Sequence, residues 1–177
     1  VPRELHLSLR RQRQMCIRDR AGAFGYFQFM PSTMKNYAID YDENSYIDLK
    51  NNDDAYASAA NYLNKIGWKD SEPCFYKIEL SNQIPKKYLN VSAKKLHDKK
   101  QLKYFRKYIL NENILDKKFD SLTTSIITPD KDIIPDAENL SPAYIVFDNY
   151  EIILKWNRSL RFSLAVCTLK EKFKNEL

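Results

Sequence analysis

AGAFGYFQFMPSTMKNYAIDYDENSYIDLKNNDDAYASAANYLNKIGW, Ala21–Trp68, is the most informative stretch of the chain, and it falls into three parts. In the first, Gly22 and Gly25 permit a tight backbone, and Phe24, Tyr26, Phe27 and Phe29 crowd around Gln28. A lone amide among aromatics is either a satisfied core glutamine or a ligand contact in a lined cleft. The local sequence leaves both readings open. Ser32 is placed to cap a short helix running through Tyr37. The third part is a helix that starts at Asp53 or Asp54. Ala55, Ala59, Tyr62, Leu63 and Ile66 share one of its faces at helical spacing. Gly67 follows where a C-terminal cap belongs, with Trp68 packing beyond it.

The middle part, Asp40 to Asp54, is acidic. Asp40, Asp42 and Asn44 occupy positions 1, 3 and 5 of an EF-hand-like pattern, and Tyr46 at position 7 can offer its carbonyl. Two departures weaken the pattern. Ser45 replaces the glycine wanted at position 6, and Asn51 stands at position 12 in place of a bidentate glutamate. The segment is either a weak calcium site or a solvated acidic turn ahead of a helix.

Downstream, the chain is less sharply marked. Phe75 to Leu80 alternates like a strand, and Ser92 to Leu110 reads as one or two lysine-rich helices with Leu96, Leu102, Phe105 and Ile109 inward. Pro129 and Pro135 mark a loop. Ala143–Phe147 and Tyr150–Leu154 are apolar, β-branched runs around Asp148-Asn149, the pattern of a β-hairpin. After Trp156-Asn157, Ser159 caps a final helix whose expected buried stripe is Phe162, Val166, Leu169 and Phe173. The fold class is α+β and mainly α-helical, with no internal repeat.

Composition sets outer bounds. A chain of 177 residues that is 44% hydrophobic and 13% aromatic can build a core. Its 3 glycines argue against glycine-rich phosphate loops. No apolar run is long enough for a membrane span, and no signal peptide is visible. The net charge is +6, but residues 1–20 hold +4 of it, leaving +2, mixed in sign, on residues 21–177. That distribution argues against nucleic acid as a partner. The composition also breaks near residue 21. Arginines dominate before it, and Lys, Asn, Ile and Tyr after it. RQRQMCIRDR, Arg11–Arg20, is similar to translated adapter sequence, so residues 1–20 are read as a non-native or disordered basic segment, the alternative being a real basic arm. Cys74 and Cys167 form one disulfide in an oxidising compartment or remain two buried thiols; neither they nor Cys16 have metal-ligand spacing. His6 and His97 read as surface residues.

Ala21–Trp68 resembles the central block of the lytic murein transglycosylase B family, and SPAYIVFDNYEIILKWNRSLRFSLAV, Ser141–Val166, resembles its closing block. QFMPS, then ANYL, then WNRS is a specific combination, in the family's order and roughly its spacing. The resemblance implies that residues 21–177 are the C-terminal part of a lysozyme-like transglycosylase domain. The activity it implies is cleavage of the β-1,4 bond between N-acetylmuramic acid and N-acetylglucosamine in peptidoglycan. The muramic acid's own 6-hydroxyl displaces the leaving group, so the product is a 1,6-anhydro sugar. One glutamate then suffices, as acid and afterwards as base, where ordinary glycosidases use two carboxylates. In the family that glutamate lies upstream of the AGAFG block, in an E-S/T-x-[FWY]-G type motif. No such motif occurs here, so the expectation is a truncated, inactive chain whose catalytic residue lies upstream of Ala21.

The same resemblance assigns the remaining cleft residues one by one. Gln28 matches a substrate-binding glutamine, Tyr62 a tyrosine facing the catalytic carboxylate, and Asn157 an asparagine at the sugar site. Trp156 stands where many members have tyrosine and can stack on a sugar ring; Phe162 replaces another frequent tyrosine and loses its hydroxyl. Some members bind calcium at the acidic loop, which here implies Asp40, Asp42, Asn44, Tyr46 and a closing Asp54. No cofactor is required by the chemistry. The expected partner is the peptidoglycan glycan strand, with the chain a monomer in the bacterial periplasm or cell envelope; membrane anchoring is not legible. Two rivals belong to other classes: a non-catalytic glycan-binding module, and a small calcium-binding structural domain.

Overall fold

Gly25 explains how the first described segment turns. A computed structural model describes residues 22–129 and 142–176. Phe24 and Phe29 pair across a tight reversal, each amide donating to the other's carbonyl at 2.9 and 2.8 Å. Gly25 sits in the left-handed region at φ +74°, and a Cβ there would lie 2.5 Å from the Cβ and 2.6 Å from the carbonyl oxygen of Leu49. Only glycine fits that approach. The readings of residues 1–20, of Cys16 and His6, and of Pro135 lie outside the described residues.

Helix α1, Pro31–Tyr37, begins on its proline with no side-chain cap. The expected Ser32 cap is therefore corrected: proline's fixed φ starts the helix one residue earlier, and Ser32 lies inside the first turn. Helix α2, Asn52–Lys65, is capped by Asn51, whose side chain accepts from the Asp53 amide, and carries Asp53 and Asp54 in its first turn where the helix dipole favours acid. Ala55, Ser58 and Ala59 are buried on its inner face. Gly67, at φ +105°, follows the last turn as expected. These elements make one compact unit, up to Gly67; residues from Trp68 make a second.

The second unit is built on a mostly antiparallel sheet: β1 Phe75–Ile78, β2 Leu89–Asn90, β3 Lys100–Gln101, β4 Thr123–Ile127 and β5 Ala143–Val146. The order is β1-β5-β4-β2, with β3 also on β4. β2 is the parallel member, Leu89 opposite Ile126, and β3 is antiparallel, Lys100 opposite Thr124. The core beneath includes Ile78, Leu102, Phe105, Ile126, Ile145 and Phe147. Ser92–Leu110 is not one or two full helices. It is loop, then β3, then the four-residue α3, Leu102–Phe105, and a 3₁₀ turn. The four expected inward residues, Leu96, Leu102, Phe105 and Ile109, are all buried.

Two further readings are overturned. Tyr150–Leu154 is not the second strand of a hairpin but part of helix α4, Asp148–Trp156. Ala143–Val146 instead pairs with β1 and β4. Asn149 is no turn residue: fully buried, it accepts from the Lys69 amide at 3.0 Å and donates to the Lys69 and Glu72 carbonyls at 2.7 and 2.8 Å. Helix α5, Leu160–Glu176, starts at Ser159, whose hydroxyl accepts from the Phe162 amide at 3.2 Å. Its buried face is Leu160, Ser163 and Cys167, while Phe162, Leu169 and Phe173 are 40%, 53% and 56% exposed. The expected stripe lies roughly a third of a turn from the face that packs. Cys167 fixes that rotation. It is disulfide-bonded to Cys74, with the Cα atoms 5.9 Å apart and 93 residues between them in sequence. No helix among the described residues is long and apolar enough to cross a membrane.

Candidate functional site

Gln28 stands at the end of the Gly25 turn, itself left-handed at φ 52° and exposed. Its amide NH2 donates to the Gly25 carbonyl at 2.9 Å, which ties the side chain to the turn. The core-glutamine alternative fails on that exposure; Phe29, the next residue, is the one that is buried, at 2%. Tyr62 packs edge-on to Phe29 at 5.9 Å and to Tyr37 at 4.9 Å between ring centroids. Tyr62 thus packs on the residue that follows Gln28 in the chain. Burial, and then Tyr37, push the Tyr62 hydroxyl up from 10.0, so it remains a neutral donor at physiological pH.

The acidic loop is drawn together around Asp54. This carboxylate is fully buried, and its two oxygens accept from the Tyr41 and Asp48 amides, each at 2.8 Å. Carboxylate oxygens of Asp40, Asp42 and Asp54 all lie within 4.8 Å of one another. Asn44 is committed inside the loop: its amide NH2 donates to Asp42 at 2.8 Å, and its oxygen accepts from the Tyr46 amide at 2.8 Å. Ser45 takes the left-handed backbone, φ 68°, that a glycine would occupy freely. The loop makes its turn in spite of the substitution. Three carboxylates at this spacing form a hard oxygen set of the kind calcium takes.

In the second unit, Trp156 ends α4 half-buried, and Asn157 follows in extended backbone, φ −137°. The Asn157 side chain is exposed, with no hydrogen-bond partner among the described residues. None of the described glutamates sits enclosed. Glu43, Glu79, Glu112 and Glu176 are exposed, and the half-buried Glu72, Glu151 and Glu171 are each paired to a lysine. Two features escaped the sequence reading: the apposition of Gly25 to Leu49, and the Tyr37 ring behind Tyr62. Both are contacts between residues far apart in sequence, with no local pattern to announce them.

An amide can both donate and accept, and an aromatic ring offers a flat apolar face. Residues 12–171 match the Transglycosylase SLT domain family, a span that includes part of the segment set apart on composition. The chain belongs to this family of lytic transglycosylases. Membrane-bound lytic murein transglycosylase B of Escherichia coli (strain K12) is 50% identical over 48 residues, which are 27% of this chain and 13% of that protein. SltB3 from Pseudomonas aeruginosa, solved in complex with NAG-NAM-pentapeptide, superposes with a TM-score of 0.72 at 31% identity, covering 87% of this chain and 39% of SltB3. The Escherichia coli lytic transglycosylase Slt35, solved in complex with calcium, superposes with a TM-score of 0.62 at 23% identity, over 85% of this chain and 44% of Slt35. The chain thus spans under half the length of these relatives.

Proposed function

We propose that this chain is the glycan-holding part of a peptidoglycan lytic transglycosylase. The whole enzyme would cleave the β-1,4 bond between N-acetylmuramic acid and N-acetylglucosamine and release a 1,6-anhydro sugar. The observation that carries the reading is the exposed Gln28, hydrogen-bonded to Gly25 and one residue before the Phe29 on which Tyr62 packs, in a chain of this family. In the reaction, the muramic 6-hydroxyl attacks the anomeric carbon as the bond to the leaving oxygen breaks. Gln28 and Asn157 hold sugar amides and hydroxyls, Trp156 stacks on a ring, and Tyr62 orients the acid–base carboxylate. The proton must come from that carboxylic acid, which then takes the proton of the attacking hydroxyl. Such a group needs an apolar enclosure. The described glutamates are exposed or lysine-paired, so none of them is the acid.

With no enclosed glutamate among the described residues, the reading holds that the chain as given does not cleave. General acid catalysis is worth about 10²–10⁴-fold. Purified and incubated with sacculi, the chain yields no 1,6-anhydromuropeptides by mass spectrometry; clear anhydro products above blank would contradict the assignment. A non-catalytic glycan-binding module is the second reading, favoured by the same lack of an enclosed glutamate among the described residues. The coding sequence upstream of Ala21 separates the two: a helix ending in the glutamate motif belongs to the enzyme.

Asp40, Asp42 and Asp54 fit a calcium ion, which would lock the loop ahead of α2 and take no part in proton transfer. Both Asp54 oxygens already hold backbone amides, so affinity is weak, roughly 10⁻⁴ M. Calorimetric titration that returned submicromolar affinity would refute this. The buried Cys74–Cys167 disulfide supports an oxidising compartment, the periplasm or cell envelope.

A further inference from the structure

Of the net +2 on residues 21–177, the stretch Lys86 to Lys107 alone holds +8, from eight lysines and Arg106 against Asp98, which leaves −6 for everything else. The positive charge is concentrated on one part of the second unit. It is also anchored. Tyr88, Tyr104 and Tyr108 form a continuous ring cluster, with centroids 5.6 and 6.2 Å apart. Tyr88 and Tyr104 share a hydrogen bond of 2.9 Å between their hydroxyls. Lys87 lies over Tyr88 at 5.1 Å, Lys100 over Tyr104 at 5.9 Å, and Lys107 over both Tyr104 and Tyr108 at 4.7 and 4.9 Å. The intervening loop is pinned by the buried Asn90, which accepts from the His97 amide at 2.7 Å and donates to the Ile126 carbonyl at 3.0 Å. Strand β3 holds Lys100 in register on β4.

Three exposed ammonium groups are thus set over one half-buried aromatic platform, and none of them has a carboxylate partner among the described residues. The hydrogen bond to Tyr104, and then burial, push Tyr88 up to about 12, while the same bond and the charges of Lys107 and Lys87 lower Tyr104. Either hydroxyl can be the donor of that bond, which ties the two rings together beneath the lysines. The one guanidinium of the stretch is committed elsewhere. Arg106 is tied to Asp120 at 2.6 Å and to the Leu115 carbonyl at 3.0 Å. What remains is a set of separate point cations with an apolar floor and no planar fork. That suits isolated carboxylates carried on short aliphatic side chains better than a dense run of phosphates, for which bidentate guanidinium is the usual device.

We propose that the Lys87–Lys100–Lys107 platform binds carboxylates of the peptide stems of peptidoglycan. It rests on the proposed glycan substrate and adds a second contact to the same polymer, distinct from the sugar contacts of Gln28 and Asn157. A polymer bearing a peptide at regular intervals presents such carboxylates repeatedly. A surface that takes them raises the chain's residence on intact wall relative to naked glycan.

The test is co-sedimentation of the 177-residue chain at low and high salt with three solids: intact sacculi, sacculi whose carboxylates have been chemically amidated, and insoluble glycan stripped of peptide by amidase. The variant is Lys87→Gln with Lys100→Gln and Lys107→Gln; the control carries Lys77→Gln, Lys172→Gln and Lys174→Gln on other exposed lysines. The expected result is at least about a fivefold loss of binding to intact sacculi for the platform variant alone. Amidated sacculi should bind the unmodified chain as weakly as the variant binds intact ones, and stripped glycan should not distinguish the three proteins. Circular dichroism confirms that each is folded. Equal binding of variant and parent to intact sacculi overturns the proposal, as does undiminished binding to amidated sacculi. A variant-sensitive affinity for anionic phospholipid vesicles with none for sacculi overturns it in favour of a membrane surface. Failure of the unmodified chain to bind stripped glycan would instead count against the proposed glycan function.

Discussion

Gly25 carries the display of Gln28. Its replacement by alanine forces a Cβ to within 2.5 Å of Leu49 and strains a left-handed backbone, so Gly25→Ala should cost about 2–4 kcal/mol in chemical denaturation. A loss under about 0.5 kcal/mol would mean that the turn is not built as described. Ser45 is the opposite case. It pays no packing penalty but sits at φ 68°, so Ser45→Gly should stabilise the loop by a few tenths to about 1 kcal/mol. At this scale the sequence was legible where chemistry is local. Gly22 and Gly25 announced a tight turn, and the aspartate spacing announced an oxygen cluster. Whether Gln28 faced core or solvent was not legible, because the answer depends on where Leu49 lies, and Leu49 is more than twenty positions away. The same holds for Asn149, whose turn-like neighbourhood hides a buried clamp on residues 69 and 72.

Helices α4 and α5 show what periodicity can and cannot settle. The α5 sequence offers two apolar faces about a third of a turn apart, and both satisfy helical spacing. The disulfide to Cys74 selects the Leu160–Cys167 face. Leu160→Ala should therefore cost about 2–5 kcal/mol, while Phe173→Ser should stay within about 0.5 kcal/mol, as thermal or urea unfolding will report. A large loss at Phe173 would restore the stripe expected from sequence. In α4, β-branched residues around Asp148-Asn149 imitate a hairpin. A run of this length that is buried on nearly every side reads the same as helix or strand. Tyr150 locks α4 to the start of α5 by donating to the Leu160 carbonyl at 2.7 Å, and burial raises its hydroxyl well above 10.0. An unfolded tyrosine ionises near 10. The contribution is therefore complete below that pH and is lost as pH rises toward the folded value. Stability should fall steadily above about pH 10, and less steeply in Tyr150→Phe, whose cost at neutral pH is about 1 kcal/mol. Identical alkaline profiles would exclude Tyr150 as the source.

The whole molecule joins a family-specific set of motifs to a strongly uneven charge distribution, and the first was far more legible than the second. Motif order alone identified QFMPS, ANYL and WNRS, because each is a short string in which local sequence is the signal. The lysine platform was not recognised, because a net charge of +2 over residues 21–177 conceals +8 in one stretch and −6 elsewhere. Only the contacts among three tyrosine rings show that Lys87, Lys100 and Lys107 converge. The central proposal is that Gln28, Tyr62, Trp156 and Asn157 contact glycan, and that this chain does not itself cleave it. The most direct test is amide and side-chain chemical-shift mapping of the chain titrated with soluble, peptide-free glycan strands. The account predicts weak, saturable shifts centred on Gln28, Tyr62, Trp156 and Asn157, with no change in the glycan's own spectrum over days. Shifts confined to other residues, or none at all, would contradict it.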